Sequence, residues 1–466
     1  MKQGLECIVS IEGYSKQGIA QGVTPALGKK VEVRGAYLGE QVVAEVMRKK
    51  QGVHQARLLE VLQAHPCRVE PRCLHAGVCG GCSWQTLDYK QQCLYKQEKI
   101  KTLFSPFQAE CFPLISMEDP WSFRNKMEFS FYEDQEGPAL GLIMGGTKGK
   151  VVALQQCHLV RPWMVEVLQS TSLWWKSTGL KAYHRRKNTG TLQTLTLREG
   201  MNTGDKLVML TVSGEPCAQL TKQVLEQYTQ SLLQVLGGKV SIFLQIKLAK
   251  PGMVTQYNEM LLHGEDHIQE KMTIAYPSGE QKTYTFKISP SSFFQPNTLQ
   301  AEKLFSRALA MVSPGRKKLI LDLYCGTGTL GMIFAPLAEQ VIGVELNPYA
   351  VFDAEANLEA NSISHMKVIQ EDMNKVSLPQ ETVDLVMIDP PRAGLGAKVV
   401  AKIAALQPQE ILYVSCNPYT QWEDVKEFLE KGYELVAVQP VDQFPHGPHL
   451  ENIAVLRKMH SIHSPI

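Results

Sequence analysis

No run of roughly 18 or more apolar residues occurs in the 466-residue sequence, which argues against a helical membrane span. The opening stretch, MKQGLECIVSIEGYSKQG, lacks the apolar core of a signal peptide. A cytoplasmic protein with no membrane partner is therefore expected. Internal repeats and low-complexity tracts are missing too, which sets aside solenoid and repeat architectures. A strong net charge is also absent, since 48 Lys and Arg against 46 Asp and Glu leave only +2. Its distribution is uneven. From Ser291 onward 14 Lys and Arg face 20 Asp and Glu, a net −6, and the first 290 residues hold 34 against 26, a net +8. A basic front half suggests a region that meets a polyanion, although solvated surface lysines would give the same count.

Cysteine, by contrast, is plentiful. Eleven cysteines in a chain expected to be cytoplasmic point to metal or catalytic roles rather than a disulfide framework. Cys67, Cys73, Cys79 and Cys82 crowd together and the others are scattered. The length suggests about three domains. Residues 1–62 alternate apolar and polar positions with Gly and Lys at the turns, the pattern of a small OB-like β-barrel. Barrels of this kind bind oligonucleotides, but many do not. Lys29, Lys30, Arg34, Arg48, Lys49, Lys50 and Arg57 on or beside the strands favour RNA, and the segment resembles the TRAM domain of RNA-modifying enzymes. Residues 63–290 read as an α+β domain carrying the cysteine cluster, with strand-like pieces and one helix around 217–235; the stretch 93–123 is a candidate to pack on the C-terminal domain. From 291 to 466 strands and helices alternate as in an α/β doubly wound, Rossmann-like sheet, whose ligands sit at the carboxyl ends of its strands.

The chemistry-bearing motifs fall at such ends. Asp322 is followed by a loop with Tyr324, Gly326, Gly328, Thr329 and Gly331, where glycines let the backbone approach a ligand at a helix N-terminus. Glu345 ends the next strand, where a carboxylate can accept both hydroxyls of a ribose. Gly326, Gly328 and Gly331 also satisfy the dinucleotide pattern GxGxxG, so an NAD-dependent oxidoreductase is the rival reading. Asp322, four residues before the first glycine, resembles the pattern of class I methyltransferases, where a carboxylate in this loop serves the methionine end of S-adenosylmethionine; it would repel a pyrophosphate. The strand VDLVMID leads into Asp389-Pro390-Pro391-Arg392. Amino-methyltransferases usually place an aromatic residue where Arg392 stands, and a cation there suits a phosphate or a base carbonyl. ILYVSC leads into Ser415-Cys416-Asn417-Pro418, which sets a thiol at the ligand edge. Carbon 5 of uracil is a poor nucleophile. A thiolate adding to C6 makes C5 enolate-like, and a base must then remove the C5 proton so that the thiol can leave. Glu451, in FPHGPHLEN, is placed to be that base.

DLYCGTGTLG, VELNP, DPPRAGL, VSCNP and FPHxxHxE, in this order, resemble the RNA (uracil-5-)-methyltransferases, and SFFQPN at Ser292–Asn297 resembles a motif that precedes them in that family. The likeness spans essentially the whole chain. It implies a class I methyltransferase domain in which Cys416 is the nucleophile and Glu451 the base. Gln295, Tyr324, Thr329, Glu345, Asp372 and Asp389 match positions that contact the donor, and Asp389 and Arg392 would place the target base. Gly447-Pro448 departs from the family, which commonly has Thr before this Pro.

Cys73-x5-Cys79-x2-Cys82, with Cys157 far downstream, is a four-thiolate set suited to zinc or to an iron–sulfur cluster. In the ribosomal branch of the resembled family this spacing holds a [4Fe-4S] cluster, so the resemblance implies a cluster and 23S ribosomal RNA as partner, with transfer RNA the alternative substrate. Cys67 is a fifth thiol outside the pattern. WSFRNKMEFSF interleaves aromatics with cations, which suits stacking on unstacked bases or an ordinary amphipathic strand. A monomer is expected.

Overall fold

The computed structural model describes residues 4–24, 28–249, 252–253, 255–379 and 381–459. Strands β1 (Glu6–Tyr14), β2 (Ala20–Thr24), β3 (Lys29–Arg34), β4 (Gln41–Lys50) and β5 (Val53–Gln63) close into a barrel in the order β1-β2-β3-β5-β4. Side chains on a strand alternate between faces, so Val9, Ile11, Val31, Val33, Val42 and Ala44 fill its interior. Lys29, Lys30, Arg34, Lys49, Lys50 and Arg57 stand exposed on its outside. After the cysteine-rich stretch, helix α1 (Tyr89–Phe104) is capped by Asp88, whose side chain accepts from the amides of Lys90 and Gln91. The short strand β6 (Glu110–Cys111) follows.

The central unit contains β7 (Lys126–Asp134), β8 (Gly137–Ile143), β9 (Val151–Ala153), α2 (Pro162–Thr178), β10 (Leu192–Glu199), β11 (Lys206–Ser213), α3 (Lys222–Leu236), β12 (Ser241–Leu248) and β13 (Gln256–His263). Its sheet runs β13-β12-β11-β10-β7-β8-β9, with α2 and α3 packed on each other. Only β11 and β12 pair in parallel, and α3 makes their crossover. Phe129, Phe131, Trp163, Trp174, Trp175 and Tyr228 share one core with the sheet. Helix α2 was not anticipated from the sequence. Its buried positions 163, 164, 167, 168, 171, 174 and 175 have helical spacing, but its Trp, Ser and Thr are indifferent helix formers and blur the pattern.

A hairpin of β14 (Ile268–Ala275) and β15 (Gln281–Ile288) precedes the expected boundary at 290. Met272, Ile274, Tyr284 and Phe286 share one core with Leu207, Met209 and Phe243 of the central unit and with Phe305 and Ile333 of the C-terminal one. Glu270 accepts from the amides of Met201 and Asn202, so the hairpin bridges the central unit to the C-terminal unit. That unit comprises α4 (Thr298–Met311), β16 (Lys317–Leu323), α5 (Thr329–Phe334), β17 (Ala338–Glu345), α6 (Pro348–Ala360), β18 (Met366–Gln370), β19 (Leu385–Ile388), α7 (Ala397–Ala405), β20 (Glu410–Ser415), α8 (Pro418–Glu430), β21 (Tyr433–Val441) and β22 (Glu451–Lys458). The sheet order is β18-β17-β16-β19-β20-β22-β21-β6, and β22 alone runs against its neighbours. β16, β19 and β20 are apolar along most of their length because helices cover both faces. The strand order reverses between β16 and β19, which opens a crevice at their carboxyl ends. β6 extends this sheet and α1 lies against α8 and β21. Among the described residues no helix is long and apolar enough to cross a membrane.

Candidate functional site

The loop after β16 turns sharply, with left-handed backbone at Tyr324 (φ 62°), Gly326 (φ 55°) and Gly328 (φ 79°). Gly331 in α5 is required by close approach, since a Cβ there would lie 2.5 Å from Met366 Cε and 2.8 Å from Asp322 Oδ2. Asp322 Oδ2 accepts from the Gly331 amide at 2.7 Å, and burial, with Asp389 and Glu345 nearby, pushes its carboxyl up to about 8. Glu345 accepts from the Gly326 amide at 3.0 Å and from the amides of Leu346 and Asn347. Thr329 pairs with Thr327. Asp372 is half-buried beyond β18 and lies near Tyr324; hydrogen bonds from Asn374 hold its carboxyl below the usual range. Gln295 is buried before α4, and its Oε1 accepts from Gln443 in the loop leading to Glu451.

The acceptor end is built by register. Antiparallel β20 and β22 pair Ser415 with Asn452, and β21 pairs Val441 with Glu451. Cys416, one residue past Ser415, and Glu451, one before Asn452, therefore stand at facing positions on one sheet edge. Burial pushes the Cys416 thiol up to about 11, with Glu451 raising it further and Arg392 opposing. Glu451 is buried and its Oε2 has no hydrogen-bond partner. Burial and then Asp389 lift its carboxyl well above the ordinary range, and Arg392 again opposes. Burial likewise brings Asp389 up to about 7. A thiol, two reluctant carboxyls and a single exposed guanidinium thus share one corner.

The sequence reading missed the residue that fixes this corner. Asn417 caps α8 through Oδ1, and its Nδ2 donates to the Arg392 carbonyl at 2.9 Å. It ties the Asp389–Arg392 loop to the segment carrying Cys416, and its position as the Asn before a helix-opening Pro is a legible capping signal.

Comparison with known proteins decides the family. The chain matches the tRNA (Uracil-5-)-methyltransferase family over residues 221–459. An uncharacterized RNA methyltransferase of Protochlamydia amoebophila is 42% identical over 439 residues, covering 91% of this chain and 99% of that one. The chain belongs to this family. A second RNA methyltransferase, from Caldanaerobacter subterraneus subsp. tengcongensis, is 32% identical over 98% of the chain and 100% of its own length. Among solved structures, the Pyrococcus abyssi tRNA (uracil-54, C5)-methyltransferase in complex with S-adenosyl-L-homocysteine superposes with a TM-score of 0.75 at 25% identity, covering 97% of this chain and 99% of that one. Membership makes the protein an RNA uracil-5 methyltransferase.

Elsewhere the structure sorts the remaining residues that the sequence singled out. Cys73, Cys79, Cys82 and Cys157 line one small pocket with Leu142, Leu154 and Leu159. Burial raises the Cys79 and Cys157 thiols and pushes Cys82 up to about 12. Arg124 lies near Cys82 and Cys157 with its buried Nε unpartnered. Among the described residues no three His, Cys, Asp or Glu side chains form a group that could hold a metal ion. Cys67 lies apart, packed among Tyr37, Trp84 and Leu87. The RNA-stacking reading of WSFRNKMEFSF is corrected, because Phe123, Met127, Phe129 and Phe131 are buried in the central core. Asn125 is a fastener whose Nδ2 donates to the Gln295 carbonyl and to Thr298. His446 stacks on Trp121 at 3.9 Å, and its Nε2 pairs with the Pro120 carbonyl at 3.1 Å, so it supports the loop.

Helix α1 holds the loop that carries Glu451, which no local pattern announced. Lys96 and Asp442 form a fully buried ion pair at 2.6 Å, Tyr89 Oη donates to the same carboxylate, and Gln92 bonds the His446 amide. Over this corner opens a cleft of about 630 Å³ lined by Cys416, Arg392, Tyr419 and His449 on one side and by barrel residues Lys16 to Ala20 and Arg34 on the other.

Proposed function

We propose that the protein transfers a methyl group from S-adenosylmethionine to C5 of a specific uridine in 23S ribosomal RNA through a covalent Cys416–C6 adduct. The observation that carries this reading is the facing of Cys416 and the buried, unpartnered Glu451 across β20 and β22. The Gly326–Gly328 turn, Glu345 and Asp322 form the donor side, where Glu345 would hold the ribose hydroxyls; S-adenosyl-L-homocysteine in the Pyrococcus abyssi protein supports the choice of donor. Bound there, the donor supplies an electrophilic methyl group.

In the reaction the Cys416 thiolate forms the S–C6 bond and pushes the ring electrons toward O4. C5 then takes the methyl group. The Glu451 carboxylate removes the C5 proton, the C6–S bond breaks and the thiolate leaves. Arg392 and Asp389 place the base, and Arg392 is the one cation favouring both ionised groups. A thiol raised to about 11 leaves only about one in ten thousand ionised at neutral pH, so substrate placement beside Arg392 is part of activation. The target uridine must leave its stack to reach the edge.

The four thiols that line the pocket around Cys82 would be the ligands of a [4Fe-4S] cluster; their convergence on one pocket supports this reading, although among the described residues they do not stand as a ready metal-holding group. Arg124 lies beside Cys82 and Cys157 with its buried Nε unpartnered, a cation that metal-bound thiolates would satisfy. Cys73, Cys79, Cys82 and Cys157 would hold the cluster as a structural clamp. A transfer RNA substrate is the second reading, favoured by the tRNA specificity of the Pyrococcus abyssi neighbour. Anaerobically purified protein, labelled methyl donor and RNA from cells lacking the gene test both. Label in 5-methyluridine of the large ribosomal RNA supports the proposal, label in transfer RNA moves the substrate, and no label overturns it.

A further inference from the structure

The cleft above Cys416 is bounded by three separated parts of the chain, and each brings a cation. Lys16 comes from the β1–β2 turn, Lys99 from α1 and Arg392 from the loop after β19, and Arg34 of β3 lines the same space. Among the described lining residues the one carboxylate, Glu423, is already paired with Lys426. Tyr419, three residues after Cys416, organises two of the cations. Lys99 Nζ lies 5.1 Å and Lys16 Nζ 5.7 Å from the centre of its ring. Such contacts hold an ammonium in place without using up its hydrogen bonds.

Lys99 is the unusual member. It is only partly exposed, and among the described residues its ammonium has a single polar contact, the Pro448 carbonyl at 3.4 Å. Burial, with Lys96 nearby, pushes it down to about 8. A cation set into a wall without a counter-ion is costly unless an anion joins it. The barrel turn is fastened to the same place, because Gly18 (φ 72°) abuts Pro448 so closely that a Cβ there would fall 2.1 Å from Pro448 Cβ. The Gly447-Pro448 departure is therefore where the barrel docks on the loop carrying Glu451.

We propose that Lys99 and Lys16, held against Tyr419, form a seat for a backbone phosphate of the RNA strand adjoining the target uridine, and that Lys99 is a positioning residue for the reaction. The inference rests on the uridine-C5 reading of the Cys416 edge. A phosphate is the anion an RNA strand necessarily brings, and ammonium groups take it as point charges. Seating it beside Tyr419 directs the neighbouring base toward Cys416, so binding made outside the ring becomes alignment at C6.

The test uses the full-length protein with K16M, K99M, the double variant and K99R, on unmodified transcripts of 23S ribosomal RNA and transfer RNA. Methionine retains the apolar stem of lysine, and melting curves check that the variants fold. Initial methylation rates are measured between about 50 and 200 mM salt, and transcript retention on filters is measured in parallel. K99M should raise the KM for RNA roughly tenfold, and its slope of log(kcat/KM) against log salt should shrink by about 0.7 to 0.9, the share of one phosphate contact. K99R should restore most of both, and donor affinity should stay constant throughout. A double variant with wild-type KM, salt slope and retention would overturn the seat, and so would a K99M that loses kcat alone. If the wild-type protein methylates neither transcript, the catalytic reading fails instead, and the salt dependence of retention still judges the seat.

Discussion

Replacing Glu451 with Gln separates the chemistry of the site from its stability. The side chain is buried with one carboxylate oxygen unpartnered, so the amide fits the same space but cannot take the C5 proton. Loss of a positioned general base slows turnover by about 10² to 10⁴. The step lost is the last one, and formation of the S–C6 bond and methyl transfer precede it. The variant should therefore accumulate methylated RNA joined to Cys416, visible as a band that survives denaturing electrophoresis and as a 5-methyluridine nucleotide on the Cys416 peptide after nuclease digestion. Stability should move the other way. The carboxyl is raised in the folded state, so the folded protein holds its proton more tightly than the unfolded chain. That costs stability once pH rises above the ordinary carboxylate range, about 1.4 kcal/mol for each pH unit separating the folded value from the unfolded one. The unsatisfied amide takes back about 1–3 kcal/mol. The melting temperature at neutral pH should hold or rise, and any gain should vanish as the pH falls through the ordinary carboxylate range. Wild-type turnover would refute the assignment of the base. Lost methylation with no adduct would place Glu451 before the attack.

Cys416→Ala should abolish both methylation and adduct while donor binding, followed by calorimetry, stays within about twofold, since the residue lies outside the Gly326–Glu345 side. Arg392→Gln removes the cation that opposes the rise of Cys416 and Glu451. Both groups then ionise at higher pH, so kcat should fall at neutral pH and partly recover in alkali. Arg392 is exposed, and screening limits the effect to roughly one pH unit in the profile, about tenfold; an unchanged pH profile would refute its role. Asn417→Ala deletes the α8 cap and the tie to the Arg392 carbonyl, which should cost about 0.5–2 kcal/mol in chemical denaturation and lower kcat more than donor affinity. Cys82→Ser should reduce bound iron and cluster absorbance in anaerobically purified protein, and zinc in the wild type in place of iron would overturn the cluster.

Local patterns made part of this molecule legible and left the rest silent, for a physical reason. The alternation VEV in β3, the buried run LVMI in β19 and the Asn-Pro pairs that open α6 and α8 are short-range signals of face, layer and cap. The motifs ending β16, β17, β19 and β20 could be placed on one edge because parallel strands present their carboxyl ends together. What the motifs could not announce is how the antiparallel β22 returns. Its register sets Glu451 opposite Cys416 across 35 residues of chain, and a single-residue slip would turn Glu451 to the other face. The supports of that register come from farther still. Asp442 meets Lys96, His446 meets Gln92, and Pro448 meets Gly18, all more than 340 residues away. In WSFRNKMEFSF, the motif most open to misreading, an amphipathic strand and a base-stacking strip share the same alternation, and only the core of α2 and α3 decides which face is covered. The barrel and α1 are therefore part of the proposed catalytic edge, because they hold the loop that sets Glu451 opposite Cys416.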